Sequence, residues 1–407
     1  MIMKAVVYHG AGDIRLEDVE APQIKDGTDA IVRITASAIC GTDLHFVRGT
    51  VTGMQPGTVL GHEGVGIIEE LGEDVRNFTV GDRVLIPSTI ACGNCSYCRS
   101  GYYSQCDNAN PHGHDGGTAF FGGPAESGPF HGLQAEKARI PFAHAGLVKL
   151  PDEVDDDDAI LISDIFPTGY FAAELAEIRP GDTVAVFGCG PVGQFAITGA
   201  KLLGAGRIIA IDSLTDRLEM ARRQGAEIVD FSKEDPVETI KDLTDGIGVD
   251  RAIDAVGVDA VAPRHQEGGK IVGPHRPENP AEREAAERSR QQGATHDGNW
   301  MPGNAPGQAL TWAVDSLAKA GTLSVIGVYP TDAGYFPLGK AMGKNLTIKL
   351  GNCNHRNYLP LLIEYVRSGR VKPTEILTHR EPLTNVIDAY RAFDRRSPGW
   401  VKVRLAP

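Results

Sequence analysis

The stretch GDTVAVFGCGPVGQFAITGAKLLG, residues 181–204, narrows what this chain can fold into more than any other. Thr183 to Phe187 is a short apolar run that reads as a buried strand. Gly188, Gly190 and Gly193 then give G-x-G-x-x-G, with Pro191 and Val192 inside the turn, and a helix runs on towards Leu203 before Gly204. Three glycines alone carry little weight. Their context adds it, because RIIAIDS follows as a second strand and ends in Asp212, nineteen residues after Gly193. The glycines let the backbone approach a pyrophosphate at a helix N-terminus, and an acidic side chain at that distance accepts hydrogen bonds from the adenosine ribose hydroxyls. A carboxylate repels a 2′-phosphate, so the expected cofactor is NAD rather than NADP.

The alternation continues with DRLEMARRQG as helix, AEIVDF as strand, PVETIKDLTDG as helix, then VDRAIDAVG and GTLSVIGVY as strands. Strands separated by helices predict a parallel sheet covered on both faces, a doubly wound α/β domain. From Val258 to about Gly307 the pattern breaks. NPAEREAAERSRQQG inside this insertion predicts a helix capped by Asn279 and stopped by Gly293, and GNWMPGNAPG predicts a turn-rich loop carrying Trp300. The insertion leaves the sheet where a strand end should face the cofactor crevice, so it is expected to cover the cofactor, or a neighbouring subunit, and slow NAD release.

Four of the seven cysteines, Cys92, Cys95, Cys98 and Cys106, fall within fifteen residues as C-x2-C-x2-C-x7-C. Their meaning depends on the compartment. MIMKAVVYHG reads as a strand rather than a signal peptide, and the uncharged run from Thr183 to Ala200 is too broken by glycine and proline for a membrane span. A net charge of −13 argues against nucleic-acid or anionic-lipid partners. A cytoplasmic protein is expected, and in a reducing cytoplasm such a cluster holds metal rather than disulfides. Four thiolates close a tetrahedral zinc shell with no site for water, as in structural zinc; a four-cysteine iron–sulfur cluster is the rival.

A second constellation lies in AICGTDLHFVRG, LGHEGVGIIEELG and LISDIFPTGYFAAE. Cys40 and His62 each sit beside a glycine, Glu63 follows His62, and Asp164 stands at the mouth of a predicted helix. One thiolate, one imidazole and one carboxylate leave a fourth position open, as a catalytic zinc requires. The DDDD at Asp155 to Asp158 reads as a solvated helix start.

Taken together, these motifs resemble the zinc-containing medium-chain alcohol dehydrogenase family over essentially the whole chain. The resemblance implies a β-rich GroES-like catalytic domain with a structural-zinc lobe over 1–165, a Rossmann domain over 166–340 with the insertion at about 258–307, and a C-terminal segment, 341–407, that returns to the catalytic domain. It implies one catalytic zinc on Cys40, His62 and Asp164, with Glu63 able to approach the metal, and one structural zinc on Cys92, Cys95, Cys98 and Cys106. Aspartate where the family commonly has cysteine, together with SDIFPTGY and the long insertion, is similar to the glutathione-independent formaldehyde dehydrogenase and dismutase branch. Thr42 and His45 match the proton relay. Thr168 and Val192 match positions near the nicotinamide, Asp212 and Arg217 match adenosine-ribose contacts, Gly188, Gly190, Pro191 and Gly193 form the pyrophosphate turn, and Lys402 matches a basic cofactor contact. The implied activity is hydride transfer between a small alcohol, or an aldehyde hydrate, and NAD, in a homodimer or homotetramer. The alternatives are a dismutase retaining its NAD, a polyol or amino-alcohol dehydrogenase, and a zinc-stabilised nucleotide-binding protein without turnover. Phe46, Phe120, Phe166 and Trp300 are expected to pack rather than to touch substrate.

Overall fold

A computed structural model describes residues 1–263, 265–267, 270–272, 283–284, 287, 299–331 and 333–407. The chain forms two compact units: Met1–Pro167 with Ala294–Trp300 and Asn352–Pro407, and Thr168–Gly293 with Met301–Gly351.

The first unit opens with the antiparallel pair β1 (Ile2–Gly10) and β2 (Asp13–Glu20), followed by β3 (Ala30–Ile39), α1 (Gly41–Arg48), β4 (Gly64–Leu71) and β5 (Arg83–Ile86). The cysteine-rich segment contributes the short helix α2 (Ser96–Arg99) and a 3-10 turn at Tyr103–Gln105, before β6 (Lys137–Ile140), α3 (Ala143–Gly146), β7 (Val148–Lys149), α4 (Asp156–Ile162) and α5 (Ile165–Leu175). Local chemistry sets the helix boundaries that matter. Cys40 is the extended N-cap of α1, and the Asp43 carboxylate at N3 accepts the Cys40 N–H at 2.9 Å. Asp155 caps α4 by accepting the Asp158 N–H at 2.9 Å, with further acids in the first turn where the helix dipole favours them. Ser163 and Asp164 fall in the break before α5, whose Pro167 sits in the first turn, where a missing N–H removes no helical bond.

The second unit continues with β8 (Thr183–Phe187), α6 (Pro191–Leu202), β9 (Arg207–Asp212), α7 (Thr215–Arg223), β10 (Glu227–Asp230), α8 (Pro236–Leu243) and β11 (Val249–Asp254). A small antiparallel pair, β12 (His265–Glu267) and β13 (Lys270–Val272), precedes α9 (Gln308–Ser316), β14 (Leu317–Val325), α10 (Leu338–Gly343) and β15 (Thr347–Leu350). The main sheet of this unit has six described strands, all parallel, in the order β10-β9-β8-β11-β14-β15. Connectivity reverses between β8 and β11, the switch point where such sheets bind nucleotides. Ala185 and Phe187 of β8 join one apolar cluster while Val184 and Val186 join another, and Ile209/Ile211 and Ile208/Ala210 of β9 divide the same way. Period-2 alternation thus buries both sheet faces. The helix expected over 279–293, and the covering role expected of the insertion, lie outside the described residues apart from Arg283, Glu284 and Glu287, which are helical.

The chain then returns to the first unit as α11 (His355–Arg367), β16 (His379–Pro382), α12 (Val386–Asp394) and β17 (Val403–Ala406). β17 pairs antiparallel with β3, Val403 opposite Ile39, in a sheet ordered β16-β17-β3-β4-β5-β7 with β6 also on β3. That register brings Lys402 beneath the end of β3, next to Cys40. Among the described residues no helix is long and apolar enough to cross a membrane.

Candidate active site

The end of β3, the segment entering β4 and the break between α4 and α5 bring Cys40, His62, Glu63 and Asp164 together, all buried, with one donor atom from each within 4.8 Å of the others. Cys40 Sγ lies 3.7 Å from Asp164 Oδ2, and His62 Nε2 lies 3.5 Å from the same oxygen. A tetrahedral zinc with ordinary bond lengths sets sulfur to oxygen at ~3.6 Å and nitrogen to oxygen at ~3.4 Å. The donors are therefore already spaced for such an ion.

The electrostatics agree with the spacing. Glu63 Oε1 accepts from Lys402 Nζ at 2.6 Å, and both side chains have no exposed surface. Glu63 Oε2 is buried and has no hydrogen-bond partner among the described residues. Asp43 Oδ1 sits 3.2 Å from His62 Nδ1, and its Oδ2 accepts from the Cys40 N–H and, at 3.2 Å, from Gln134. Burial works to lower the His62 value, but Asp43 and Cys40 carry it well above the ordinary imidazole range. Burial pushes the Cys40 thiol up. Burial also opposes ionisation of Asp164, yet the imidazoles of His355 and His62 hold its carboxyl well below the usual range. Three buried carboxyl groups and a thiol thus share a site with the cations of Lys402 and His62; a divalent metal that takes the imidazole as a neutral ligand would supply the positive charge that His62 gives up, which the low-dielectric interior requires.

Thr42 and His45 project from α1, three residues apart and so on one helix face. His45 is buried, with Nδ1 3.3 Å from Thr50 Oγ1. The Phe120 ring stands nearly perpendicular to the His62 ring at 6.2 Å between centroids and stacks on Phe46 at 6.1 Å. Phe46 and Trp300 belong to one apolar cluster, and Phe166 is wholly buried.

The four lobe cysteines are free thiols whose sulfurs also gather within 4.8 Å. Cys95 Sγ and Cys106 Sγ are 3.9 Å apart, close to the ~3.8 Å between sulfurs in a tetrahedral zinc–thiolate shell. Backbone N–H groups point at the sulfurs: Cys95 N–H at Cys92, Cys98 N–H at Cys95 and Cys92 N–H at Cys106, at 3.2–3.4 Å. Burial works against ionisation of Cys95, but the N–H groups of Cys98 and Asp107 bring its thiol down to about 7.

In the second unit, Gly188 has φ +89°, which favours glycine, and a Cβ on Gly193 would meet the Gly188 carbonyl oxygen at 1.9 Å. A Cβ on Gly190 would meet nothing nearer than the Arg217 guanidinium at 3.5 Å, so a glycine there keeps space clear at the N-terminus of α6. Such a cradle fits a pyrophosphate. Pro191 and Val192 open α6, both part-exposed. Asp212 ends β9; its Oδ2 accepts the Cys189 N–H at 2.8 Å and its Oδ1 the Ser213 and Leu214 N–H groups. Thr168 lies in α5.

The Lys402 amine is buried and donates to Glu63 and to the Ile39 carbonyl. Asp43, Gln134, Thr89 and His355 escaped the sequence reading. Asp43 had a detectable signal, since it stands three residues after Cys40 in the capping position; His355 had none, being brought to Asp164 only by the tertiary fold.

Comparison with known proteins gives a consistent result. Residues 26–152 match the alcohol dehydrogenase GroES-like domain, and residues 191–270 match the zinc-binding dehydrogenase domain. The chain is 37% identical, over the full length of both, to an uncharacterized zinc-type alcohol dehydrogenase-like protein, AdhB, of Bacillus subtilis. It is 38% identical over 268 residues, 63% of this chain and 66% of the other, to a glutathione-independent formaldehyde dehydrogenase of Pseudomonas aeruginosa. Among solved structures, the alcohol dehydrogenase TADH from Thermus sp. ATN1 superimposes with a TM-score of 0.80 at 32% identity, covering 99% of each chain.

Proposed function

The chain belongs to the zinc-containing medium-chain alcohol dehydrogenase family, and from that premise we propose that it moves a hydride between an alcohol, or the hydrate of an aldehyde, and NAD. The observation that carries the reading is the Cys40–His62–Asp164 donor set, spaced for a tetrahedral ion that these three leave open at its fourth position. When bound, zinc there supplies Lewis-acid polarisation of the substrate oxygen, and NAD accepts the hydride. A second zinc in the four-cysteine lobe has a purely structural part.

The chain's own residues handle the proton and the charge. The Thr42 hydroxyl would take the substrate's hydroxyl proton and hand it on towards His45, which shares its helix face. The Thr50 hydroxyl beside His45 Nδ1 orients that imidazole. Lys402 compensates Glu63, so that this carboxylate can lie beside the metal without adding a second uncompensated charge. Phe120 and Phe46 exclude water from one side of the His62 imidazole. Asp212 favours NAD over NADP by repelling a 2′-phosphate. Similarity to a formaldehyde dehydrogenase supports aldehyde hydrates among the substrates. We place the protein in the cytoplasm, where its free thiols persist, as a homo-oligomer. Association through the edge strand β15 would cover the exposed Leu338, Met342 and Leu350.

The test is a panel of alcohols and aldehydes with NAD or NADP, followed at the NADH absorbance, together with a run lacking added cofactor. Substrate-dependent NADH formation that chelation abolishes is expected. Dismutation of an aldehyde without added NAD would replace this reading with the dismutase, and zinc-loaded protein inert to the whole panel would defeat it.

A further inference from the structure

The two oxygens of Asp164 have separate surroundings. Oδ2 is the one that Cys40 Sγ and His62 Nε2 approach, at 3.7 and 3.5 Å. Oδ1 pairs with His355 Nε2 at 2.8 Å, the imidazole being 4% exposed. The other ring nitrogen of His355, Nδ1, lies 3.2 Å from the Thr89 hydroxyl. A hydroxyl donating to Nδ1 places the ring proton on Nε2, where it is donated to Asp164.

His355 is itself held from outside the site. It opens α11, and the backbone around it is fastened to the four-cysteine lobe. The Ser104 N–H and hydroxyl donate to Asn354 Oδ1 at 3.0 and 2.9 Å, and the Asn357 amide donates to the Gly101 carbonyl at 2.7 Å. Thr89 stands three residues before Cys92. Both ring nitrogens of His355 are thus engaged by groups whose positions depend on the lobe or on Asp164 itself.

A carboxylate ligand, unlike a thiolate, rotates about its last single bond and can offer a metal either oxygen or both. We propose that His355 is a positioning residue that locks this rotation. By taking Oδ1, it presents Oδ2 alone to the ion and keeps the fourth coordination position clear for substrate; the Cys92–Cys106 lobe, through the start of α11, keeps His355 in place. This rests on the reading of Cys40, His62 and Asp164 as a zinc site. Groups that orient metal ligands from behind commonly change metal affinity by about 10–100-fold when removed.

The experiment loads the full chain with cobalt(II), whose visible bands report coordination number, and follows metal release to a chelator. His355→Ala is expected to release the metal of the Cys40 site about 10–100-fold faster than wild type, with visible bands shifted towards higher coordination and NAD affinity unchanged. His355→Gln, whose amide can donate to Oδ1, should restore most of the wild-type spectrum. Thr89→Val, which keeps the side-chain shape and removes only the hydroxyl, should move spectrum and release rate in the same direction as His355→Ala, and it decides the matter if that variant does not fold. Wild-type spectrum and release rate in His355→Ala, or in Thr89→Val in its place, would overturn the proposal. Wild-type protein that takes up metal at the four cysteines alone would instead defeat the zinc-site reading itself.

Discussion

Lys402 Nζ and Glu63 Oε1 stand 2.6 Å apart, both side chains without exposed surface, although 339 residues separate them in the chain. Burial alone would lower the amine's value, but the Glu63 carboxylate holds it above the ordinary lysine range. Burial pushes the Glu63 carboxyl up while the Lys402 cation works against that shift, so the charge on each depends on the other. Lys402→Met leaves a carboxylate buried without its cation, and a loss of about 3–5 kcal/mol in urea-unfolding stability is expected. The double variant Glu63→Gln/Lys402→Met should recover most of it. A single variant as stable as wild type would show that Glu63 is neutral in the folded chain.

Two metal ions per chain are expected, with different lability. The closed thiolate shell of Cys92, Cys95, Cys98 and Cys106 should hold its zinc through a chelator treatment that strips the Cys40 site and abolishes turnover. Metal analysis along such a time course checks the order of loss, and one ion per chain in active protein would contradict it.

Asp164→Ala removes a donor from the Cys40 site while leaving the glycine turn and Asp212 intact. Turnover should fall by at least about 100-fold, beyond what loss of an orienting group alone produces, with NAD affinity within a factor of two or so of wild type because the dinucleotide contacts are untouched. Calorimetric titration with NAD, beside a rate assay and zinc analysis, separates these effects. Normal zinc content in a fully active variant would remove Asp164 from the site.

Gly190 and Gly193 should answer substitution in opposite ways. A methyl on Gly190 faces only the Arg217 guanidinium at 3.5 Å, so Gly190→Ala is expected to leave thermal stability nearly unchanged and to weaken NAD binding by about 10-fold or more, since it fills the space meant for the pyrophosphate. A methyl on Gly193 meets the Gly188 carbonyl oxygen at 1.9 Å, so Gly193→Ala should destabilise the second unit by about 1–3 kcal/mol. Melting curves and cofactor titrations on the two variants give the comparison.

What the sequence made legible follows from distance along the chain. The doubly wound sheet could be read because each strand, turn and helix lies beside the next, and the four lobe cysteines because their spacing is local. Cys40, His62 and Asp164 stood out by residue type and neighbouring glycines, although only the fold brings them to one place. His355 and Lys402 reach their partners across 191 and 339 residues, through α11 and the β17–β3 pairing, and no periodicity encodes such closures. The bond from the Lys402 amine to Glu63 therefore had no signal in the sequence. Helix α9 escaped because its nine residues are short, carry no side-chain cap and follow the irregular insertion.

The pairing of β17 with β3 also fixes an order of events during synthesis. The ribosome delivers Cys40, His62, Glu63 and Asp164 early, while Lys402 follows Glu63 by 339 residues. At bacterial or eukaryotic elongation rates of about 5–20 residues per second, that interval is roughly 20–70 s. For all of it Glu63 lacks its cation and the Ser37–Ile39 end of β3 its β17 partner, while the strands of the second unit emerge and can pair among themselves. The strands of the second unit can therefore pair before Glu63 meets Lys402, and the pocket of Cys40, His62, Glu63 and Asp164 is the part of the first unit that is closed from behind last.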